Sequence, residues 1–164
     1  MSSAPPPGLS SPRAVTAIKW MSRINVWLYL RTGGVLGSTW RVGPAFPRGI
    51  PVMLLTTIGR RSGQARISPL LYLRDGDRII VVASQGGLPR NPLWFRNIEA
   101  NPAVTAQIGR TVRPMTARVA EPDERASLWP RLVDLYSDFD KYQSWTDREI
   151  PVVICSPAVD SPKD

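Results

Sequence analysis

The sequence of 164 residues contains no histidine and a single cysteine, Cys155. The missing histidines exclude Ser-His and Cys-His nucleophile pairs and the usual histidine metal sites. One cysteine excludes an intramolecular disulfide, and no cluster of cysteines or spaced carboxylates replaces the histidines, so we expect no metal site. If the chain is an enzyme, we expect the difficult chemistry to belong to a bound cofactor.

Long apolar runs are also missing, and none reaches the roughly 18 residues that a membrane-spanning helix needs. Residues 1–13 combine three consecutive prolines with serine and glycine, which predicts a loose tail and lacks the pattern of a secretory signal. We expect the same of residues 158–164. These features indicate a cytoplasmic protein.

Acidic residues are scarce in the first part of the chain. Residues 1–98 hold 13 Lys and Arg but only Asp75 and Asp77, whereas residues 99–164 hold 8 basic and 11 acidic residues. So uneven a charge indicates an anionic partner, which could be nucleic acid, an anionic membrane or a polyanionic small molecule.

Residues 14–34 predict an amphipathic N-terminal helix that ends at two glycines. The apolar positions recur at helical spacing: Ala17, Trp20, Met21, Ile24, Trp27 and Leu28. This face either docks on the core or lies in the interface of an anionic membrane, where tryptophan is favoured, and the spacing leaves both open. Residues 35–50 then predict a linker.

Residues 51–157 predict one domain of short strands with few helices. Tight turns at Arg74-Asp75-Gly76-Asp77 and at Gly109 predict antiparallel hairpins. The predicted strands are Val52–Ile58, Arg66–Leu73, Arg78–Ala83, Ala103–Ile108, Val112–Val119 and Pro151–Cys155, and the helices are Leu93–Ala100 and Pro122–Asp134. The expected fold is mainly β with helices (α+β), a small closed or split β-barrel.

Three segments are candidate binding elements. The first joins two predicted strands and contains Gly59, Gly63 and the cations Arg60, Arg61 and Arg66, so its backbone N–H groups could converge on an anion. The second, 83–87, runs from a strand into two glycines, which lets a flat ligand approach the backbone. The third, 136–145, places three aromatic residues on one side of a helical turn, where they line a pocket or fill the core.

At these segments the sequence resembles the deazaflavin-dependent nitroreductase and quinone reductase family of actinobacteria. The resemblance runs from Ile18 to Pro157 and includes LLTTIGRRSGQAR at 54–66, PLLYLRDGDR at 69–78 and YQSWTDREIPVVIC at 142–155. It implies a split β-barrel related to flavin-mononucleotide-binding proteins. It also implies coenzyme F-420, whose phosphodiester and glutamate tail make it a polyanion suited to the basic half of the chain.

The resemblance implies roles for individual residues. The residues expected to bind the coenzyme are Leu54, Leu55, Thr56, Arg60, Arg61, Ser62, Gly63, Gln64, Ala65, Arg66, Leu70, Leu71, Tyr72, Val81, Val82, Ala83, Ser84, Gln85 and Phe139. The acceptor is expected to contact Leu71, Ser84, Tyr136, Phe139 and Tyr142, and Tyr136 and then Ser84 are the candidate catalytic residues. Leu71 and Phe139 stand where the family has tyrosines, and Gln85 where it has a lysine.

The expected activity is hydride transfer from reduced F-420 to a menaquinone-like quinone or a nitro-aromatic acceptor, with peripheral contact to the inner face of the cell membrane if the N-terminal helix lies there. Two alternatives remain at this point. One is a flavin-mononucleotide-dependent oxidoreductase of the same fold. The other is a basic nucleic-acid-binding module, although no nucleic-acid motif is present and we expect no nucleic acid partner.

Overall fold

The computed structural model describes residues 12–40 and 49–158, and for residues 12–15 and 17–19 it describes the backbone alone. Most of the two predicted tails and half of the predicted linker therefore lie outside the described residues. In chain order the elements are α1 Pro12–Thr32, β1 Thr39–Trp40, β2 Ile50–Ile58, β3 Ala65–Leu71, β4 Leu73–Asp75, β5 Arg78–Val82, α2 Leu93–Ala100, β6 Ala103–Ile108, β7 Thr111–Val119, α3 Pro122–Leu135, α4 Asp138–Ser144 and β8 Val152–Pro157.

A single curled antiparallel sheet forms the centre of the fold, and the expected α+β class is confirmed. Its strand order is β1-β2-β6-β7-β8-β5-β4, with β3 also paired to β2. Both hairpin turns expected from the sequence are present, since β4 pairs with β5 and β6 with β7. Consecutive strands joined by short turns produce this antiparallel pattern.

The predicted strand Arg66–Leu73 is wrong in one respect, because the structure divides it at Tyr72. Before the break β3 pairs with β2, and after it β4 pairs with β5. The chain therefore changes its pairing partner at Tyr72, and no feature of the apolar run itself marks that change. The two-residue strand β1, in the predicted linker, is not expected from the sequence, and the helical turn expected within 136–145 is the helix α4.

Both faces of β5 and β8 are buried, each in a different part of the core. Ile79 and Val81 pack with α2 on one face, while Ile80 and Val82 pack with α3 and α4 on the other. Side chains of a strand alternate between its faces, so a continuous apolar run is what this position requires. On β8, Cys155 is fully buried, and burial raises the pKa of its thiol to about 12.

Helix α1 is docked at its C-terminal end by Tyr29, whose side chain is completely buried. The Tyr29 hydroxyl donates to the carbonyl oxygen of Gln107 (3.3 Å) and accepts from the N–H of Gly109 (2.7 Å) at the β6–β7 turn. The predicted apolar face, however, is exposed at Trp20, Met21, Ile24 and Trp27, to between 48% and 64%. Among the described residues, no helix is long and apolar enough to cross a bilayer.

Candidate active site

Two adjoining recesses share the residues Ser68 and Trp94. The first, which we call the aromatic cavity, has a volume of about 580 Å³ and is lined by Ser22, Trp40, Ile67, Ser68, Pro69, Leu70, Leu71, Val82, Ser84, Gln85, Gly86, Leu88, Pro92, Trp94, Tyr136, Phe139 and Tyr142. The second, the basic cleft, has a volume of about 640 Å³ and is lined by Gly59, Arg60, Arg61, Ser62, Arg66, Ser68, Leu93, Trp94, Arg96 and Asn97. Together they form one continuous surface, which is mainly apolar and aromatic in the first recess and positively charged in the second.

The loop between β2 and β3 uses three of its backbone N–H groups for its own structure. The N–H of Gly59 donates to the carbonyl oxygen of Gln64 (2.8 Å), and the N–H of Gly63 donates to that of Gly59 (2.7 Å). The N–H of Gln64 is 3.3 Å from Ser62 Oγ. The N–H groups of both glycines are therefore used inside the loop, because a short loop has to satisfy its own backbone, and anion binding by the loop stays a prediction.

Four guanidinium groups give the basic cleft its positive charge. Arg60, Arg61 and Arg66 come from the loop and Arg96 from α2. Within the described part of the chain, none of the four has a carboxylate within 4.0 Å, although other arginines such as Arg118 and Arg131 are paired with acidic residues. A recess with four uncompensated cations suits a ligand that carries several negative charges.

Asn97 fixes the basic loop onto α2 from below. It is buried (7% exposed), its Nδ2 donates to Thr57 Oγ1 (3.1 Å), and its Oδ1 accepts from the N–H of Arg60 (3.2 Å). A buried amide that satisfies one side chain and one backbone group holds both in place. Asn97 therefore fixes the backbone position of Arg60, the first cation of the loop.

The wall of the aromatic cavity on the α3–α4 side consists of a cluster of three aromatic rings. The ring of Tyr136 lies 5.1 Å from that of Phe139 in a T-shaped arrangement and 6.0 Å from that of Tyr142. All three belong to the core packing and also line the cavity. The two interpretations that the aromatic spacing left open, a core stripe or a pocket wall, therefore both hold.

The hydroxyl of Tyr136 is the centre of a polar group in this otherwise apolar wall. It lies 3.0 Å from Asp138 Oδ2 and 3.0 Å from the Tyr142 hydroxyl oxygen. Burial, together with the hydrogen bond to Tyr142, raises the pKa of Tyr136 well above its usual value. Tyr136 is therefore a neutral phenol at physiological pH, with one hydrogen to donate and an oxygen that can accept.

The turn after β5 forms the opposite edge of the cavity with Ser84, Gln85 and Gly86. Gln85 has a φ of 46° and Gly87 a φ of 74°, so the turn is left-handed. A Cβ on Gly87 would lie 2.8 Å from the carbonyl oxygen of Tyr142, whereas a Cβ on Gly86 would meet nothing within 4 Å. At Gly87 it is therefore α4 that lies close to the backbone. Of these two glycines, only Gly86 faces open space, where a ligand could approach.

Arg148 holds this turn from beneath through four hydrogen bonds. Its guanidinium donates to the carbonyl oxygens of Ala83 (3.2 Å), Ser84 (2.8 Å) and Leu88 (3.0 Å) and to Asn91 Oδ1 (2.8 Å). Burial lowers the pKa of Arg148, yet an arginine stays charged under all ordinary conditions. The turn that carries Ser84 is therefore built around a fixed cation.

The structure brings most of the predicted site residues together. Those that line the basic cleft are Arg60, Arg61, Ser62 and Arg66, and those that line the aromatic cavity are Leu70, Leu71, Val82, Ser84, Gln85, Tyr136, Phe139 and Tyr142. The residues that line neither recess are Leu54, Leu55, Thr56, Gly63, Gln64, Ala65, Tyr72, Val81 and Ala83. Of these, Leu55, Val81 and Ala83 are fully buried residues of the core on which the lining residues rest.

Several lining residues were not predicted from the sequence. Arg96 and Asn97 follow Leu93 at the i+3 and i+4 positions of α2, a spacing that places all three on one helix face and could have identified them. Ser22 and Trp40 bring α1 and β1 to the cavity rim. Arg148 was missed because its partners lie 57 to 65 residues away in sequence.

Residues 20–157 match the family described as F420H(2)-dependent quinone reductase. A Mycobacterium tuberculosis protein named as such a reductase is 50% identical over 117 residues, which cover 71% of this chain and 98% of that protein. A second reductase of that species, also named F420H(2)-dependent quinone reductase, is 39% identical over 83% of this chain and 95% of its own length. The solved structure of an F420-H2 dependent reductase, FDR-A, has a TM-score of 0.61 and 42% identity and covers 65% of this chain and 94% of that one.

These similarities decide among the alternatives that the sequence left open, and they confirm the split-barrel expectation. A family match over residues 20–157 includes both recesses, the aromatic wall and the turn held by Arg148. The similarity to the solved reductase shows that the fold which carries those residues is shared as well. The chain belongs to the F420H2-dependent quinone reductase family, and it is an oxidoreductase whose cofactor is coenzyme F-420.

Proposed function

We propose that the basic cleft binds the anionic tail of F-420 and that the aromatic cavity holds its ring next to a menaquinone-like acceptor. The observation that carries this proposal is the continuity of the two recesses through Ser68 and Trp94. A phosphodiester and glutamate carboxylates match four guanidinium groups that have no carboxylate partner among the described residues. A planar ring and an apolar quinone match a cavity of about 580 Å³, a size typical of small-molecule sites.

Reduced F-420 supplies a hydride when it is bound, and the residues of the chain have to position the acceptor and provide a proton. In the proposed arrangement Leu70, Leu71 and Trp94 keep water away from the reacting groups, which strengthens polar interactions there. Tyr136, through Tyr142, delivers the proton to the acceptor oxygen. Ser84, on the opposite edge, offers a second hydroxyl to the acceptor.

The exposed face of α1 supports a second proposal, that the protein rests on an anionic membrane. Trp20 and Trp27 are 64% and 58% exposed, and the exposed Arg31 stacks over the Trp27 ring at 5.7 Å. Tryptophan with neighbouring cations is the composition of an interfacial helix. Ser22 of the same helix lines the cavity, so a quinone dissolved in the bilayer would have a short route into the site. A nitro-aromatic compound would enter the same cavity from water.

The test is an anaerobic titration of the purified protein with F-420, with a truncated F-420 that lacks the phosphate and glutamates, and with flavin mononucleotide. We expect the full coenzyme to bind at least tenfold more tightly than the truncated form, because a charge-assisted contact contributes about 1.5–3 kcal/mol. Only reduced F-420 should then support reduction of a menaquinone analogue, and NADPH should not. Equal affinity for the full and truncated coenzymes would show that the basic cleft is not the tail site.

A further inference from the structure

A connected series of polar groups runs from the protein surface to the aromatic cavity. Lys141 Nζ lies 2.6 Å from Asp138 Oδ1, and Asp138 Oδ2 and the Tyr142 hydroxyl each lie 3.0 Å from the Tyr136 hydroxyl. Lys141 and Asp138 have side chains 64% and 27% exposed, while both tyrosines line the cavity. The series therefore joins solvent to the wall that faces a ligand.

The hydrogen bonds in this series have a defined direction. An ionised carboxylate can only accept, and the hydrogen bond from Lys141 lowers the pKa of Asp138 and so favours the ionised form. Tyr136 must then donate its one hydrogen to Asp138. Tyr142 must in turn donate its hydrogen to Tyr136. The Tyr142 oxygen is left with lone pairs for the cavity, which suit a hydroxyl ligand better than a carbonyl.

We propose that Asp138 is a positioning residue that sets the direction of the Tyr136–Tyr142 pair and forms the solvent end of a proton path to the acceptor. The inference rests on the proposed function, because it requires a reducible acceptor next to Tyr142. Asp140, on the same helix, has no such role: its Oδ1 accepts from Trp129 Nε1 (2.7 Å) and ties α3 to α4.

Proton transfer to the reduced acceptor begins at Asp138. Hydride addition leaves a quinone as a hydroquinone monoanion, and a proton from solvent binds to Asp138. The protonated carboxyl donates to Tyr136, so Tyr136 turns its hydrogen toward Tyr142 and Tyr142 turns its own toward the anionic oxygen. Asp138 then gives a proton to Tyr136, Tyr136 gives one to Tyr142, and Tyr142 gives one to the anionic oxygen. Each phenol gains one proton as it loses one, so one solvent proton reaches the hydroquinone and Asp138 is ionised again. The resulting hydrogen-bond direction is the one deduced for the resting protein.

The first measurement uses the protein without coenzyme, so that no reduction occurs. Calorimetry compares the affinities for menadione, which can only accept hydrogen bonds, and 2-naphthol, which can donate one, in the parent protein and in Asp138→Asn, Asp138→Ala and Asp140→Asn. In Asp138→Asn the amide can donate to Tyr136, and in Asp138→Ala the methyl group accepts no hydrogen bond. In both variants Tyr136 can donate to Tyr142, so the hydrogen of Tyr142 is free to point into the cavity. We expect the affinity ratio to shift about twofold to tenfold toward menadione in both, with no shift in Asp140→Asn.

The second measurement uses the protein with reduced F-420 and a menaquinone analogue. Asp138→Asn should lower kcat and change its solvent deuterium isotope effect while the affinity for F-420 stays constant, and Asp138→Glu should restore much of kcat. An unchanged affinity ratio in both Asp138→Asn and Asp138→Ala, each still folded by its melting curve, would overturn the inference. Failure of the proposed function looks different, because the parent protein would then not reduce the quinone at all while the affinity ratio would still report the hydrogen-bond direction.

Discussion

Nη2 of Arg148 lies 2.8 Å from the carbonyl oxygen of Ser84, so the residue just before β8 holds the turn that follows β5. That turn forms one edge of the aromatic cavity. That edge of the cavity is therefore positioned by a cation that is not itself among the lining residues.

Replacement of Arg148 should affect the acceptor more than the coenzyme. Arg148→Gln loses most of its hydrogen bonds to the turn, and since each bond from a charged donor contributes about 1.5–3 kcal/mol, we expect a lower melting temperature and a severalfold higher KM for the quinone. F-420 affinity should change little because the basic cleft is intact. Arg113→Gln, at an exposed position of β7, is the control, and equal quinone KM values in the two variants would contradict this role.

Arg61 should contribute to coenzyme binding without contributing to the fold. It is exposed, lines the basic cleft and has no carboxylate partner among the described residues. Arg61→Ala should weaken F-420 binding about tenfold to a hundredfold, with an unchanged melting temperature and a smaller salt dependence. Arg113→Ala removes the same charge away from the cleft and should bind F-420 normally. If Arg60→Ala, Arg61→Ala and Arg66→Ala all bind as the parent does, the anion lies elsewhere.

The choice of acceptor should depend on Leu71 and Phe139, which both line the cavity. A tyrosine at either position could donate to a nitro oxygen, and its absence costs such an acceptor about 1–3 kcal/mol. We expect the parent protein to reduce a menaquinone analogue well and a bicyclic nitroimidazole poorly. Leu71→Tyr and Phe139→Tyr should raise kcat/KM for the nitroimidazole selectively, and Tyr136→Phe should impair both substrates. Equal parent rates for the two acceptors would refute this account.

The exposed apolar face of α1 should determine membrane binding. Burial of a large apolar side chain contributes about 1.5–3 kcal/mol, so the double variant Trp20→Ser, Trp27→Ser should lose about tenfold or more of its affinity for anionic vesicles in a flotation assay. F-420 binding in solution should be retained, since Tyr29 still docks the helix. Val112→Ser, which changes an exposed residue on β7 (56% exposed), is the matched control. Equal flotation of the double variant and the control would exclude α1 as the membrane contact.

Local signals in the sequence predict much of this fold. The bounds of α2 and β6 agree with the prediction, because Pro92 marks a helix start and the turn at Gly109 ends the strand. The basic loop was also located correctly, since its arginines and glycines lie within eight residues of sequence. Helical spacing likewise identified the apolar face of α1, although it could not decide whether that face is buried.

Long-range contacts account for what the sequence could not predict. Tyr29 docks α1 through partners about 80 residues away, and the partners of Arg148 are nearly as distant. The hydrogen bonds inside the basic loop have a related origin, because they depend on the closed shape of the loop. Pairing partners of this kind follow from the folded topology and leave no periodic trace in the sequence.

The complete burial of Cys155 has a consequence for an enzyme that handles quinones. Quinones are electrophiles that arylate thiolates, and the reactive form of cysteine is the thiolate. With its pKa raised to about 12, the one thiol of the chain is both inaccessible and protonated, and the sequence has no imidazole to react in its place. A quinone therefore meets no accessible thiolate and no imidazole on this protein.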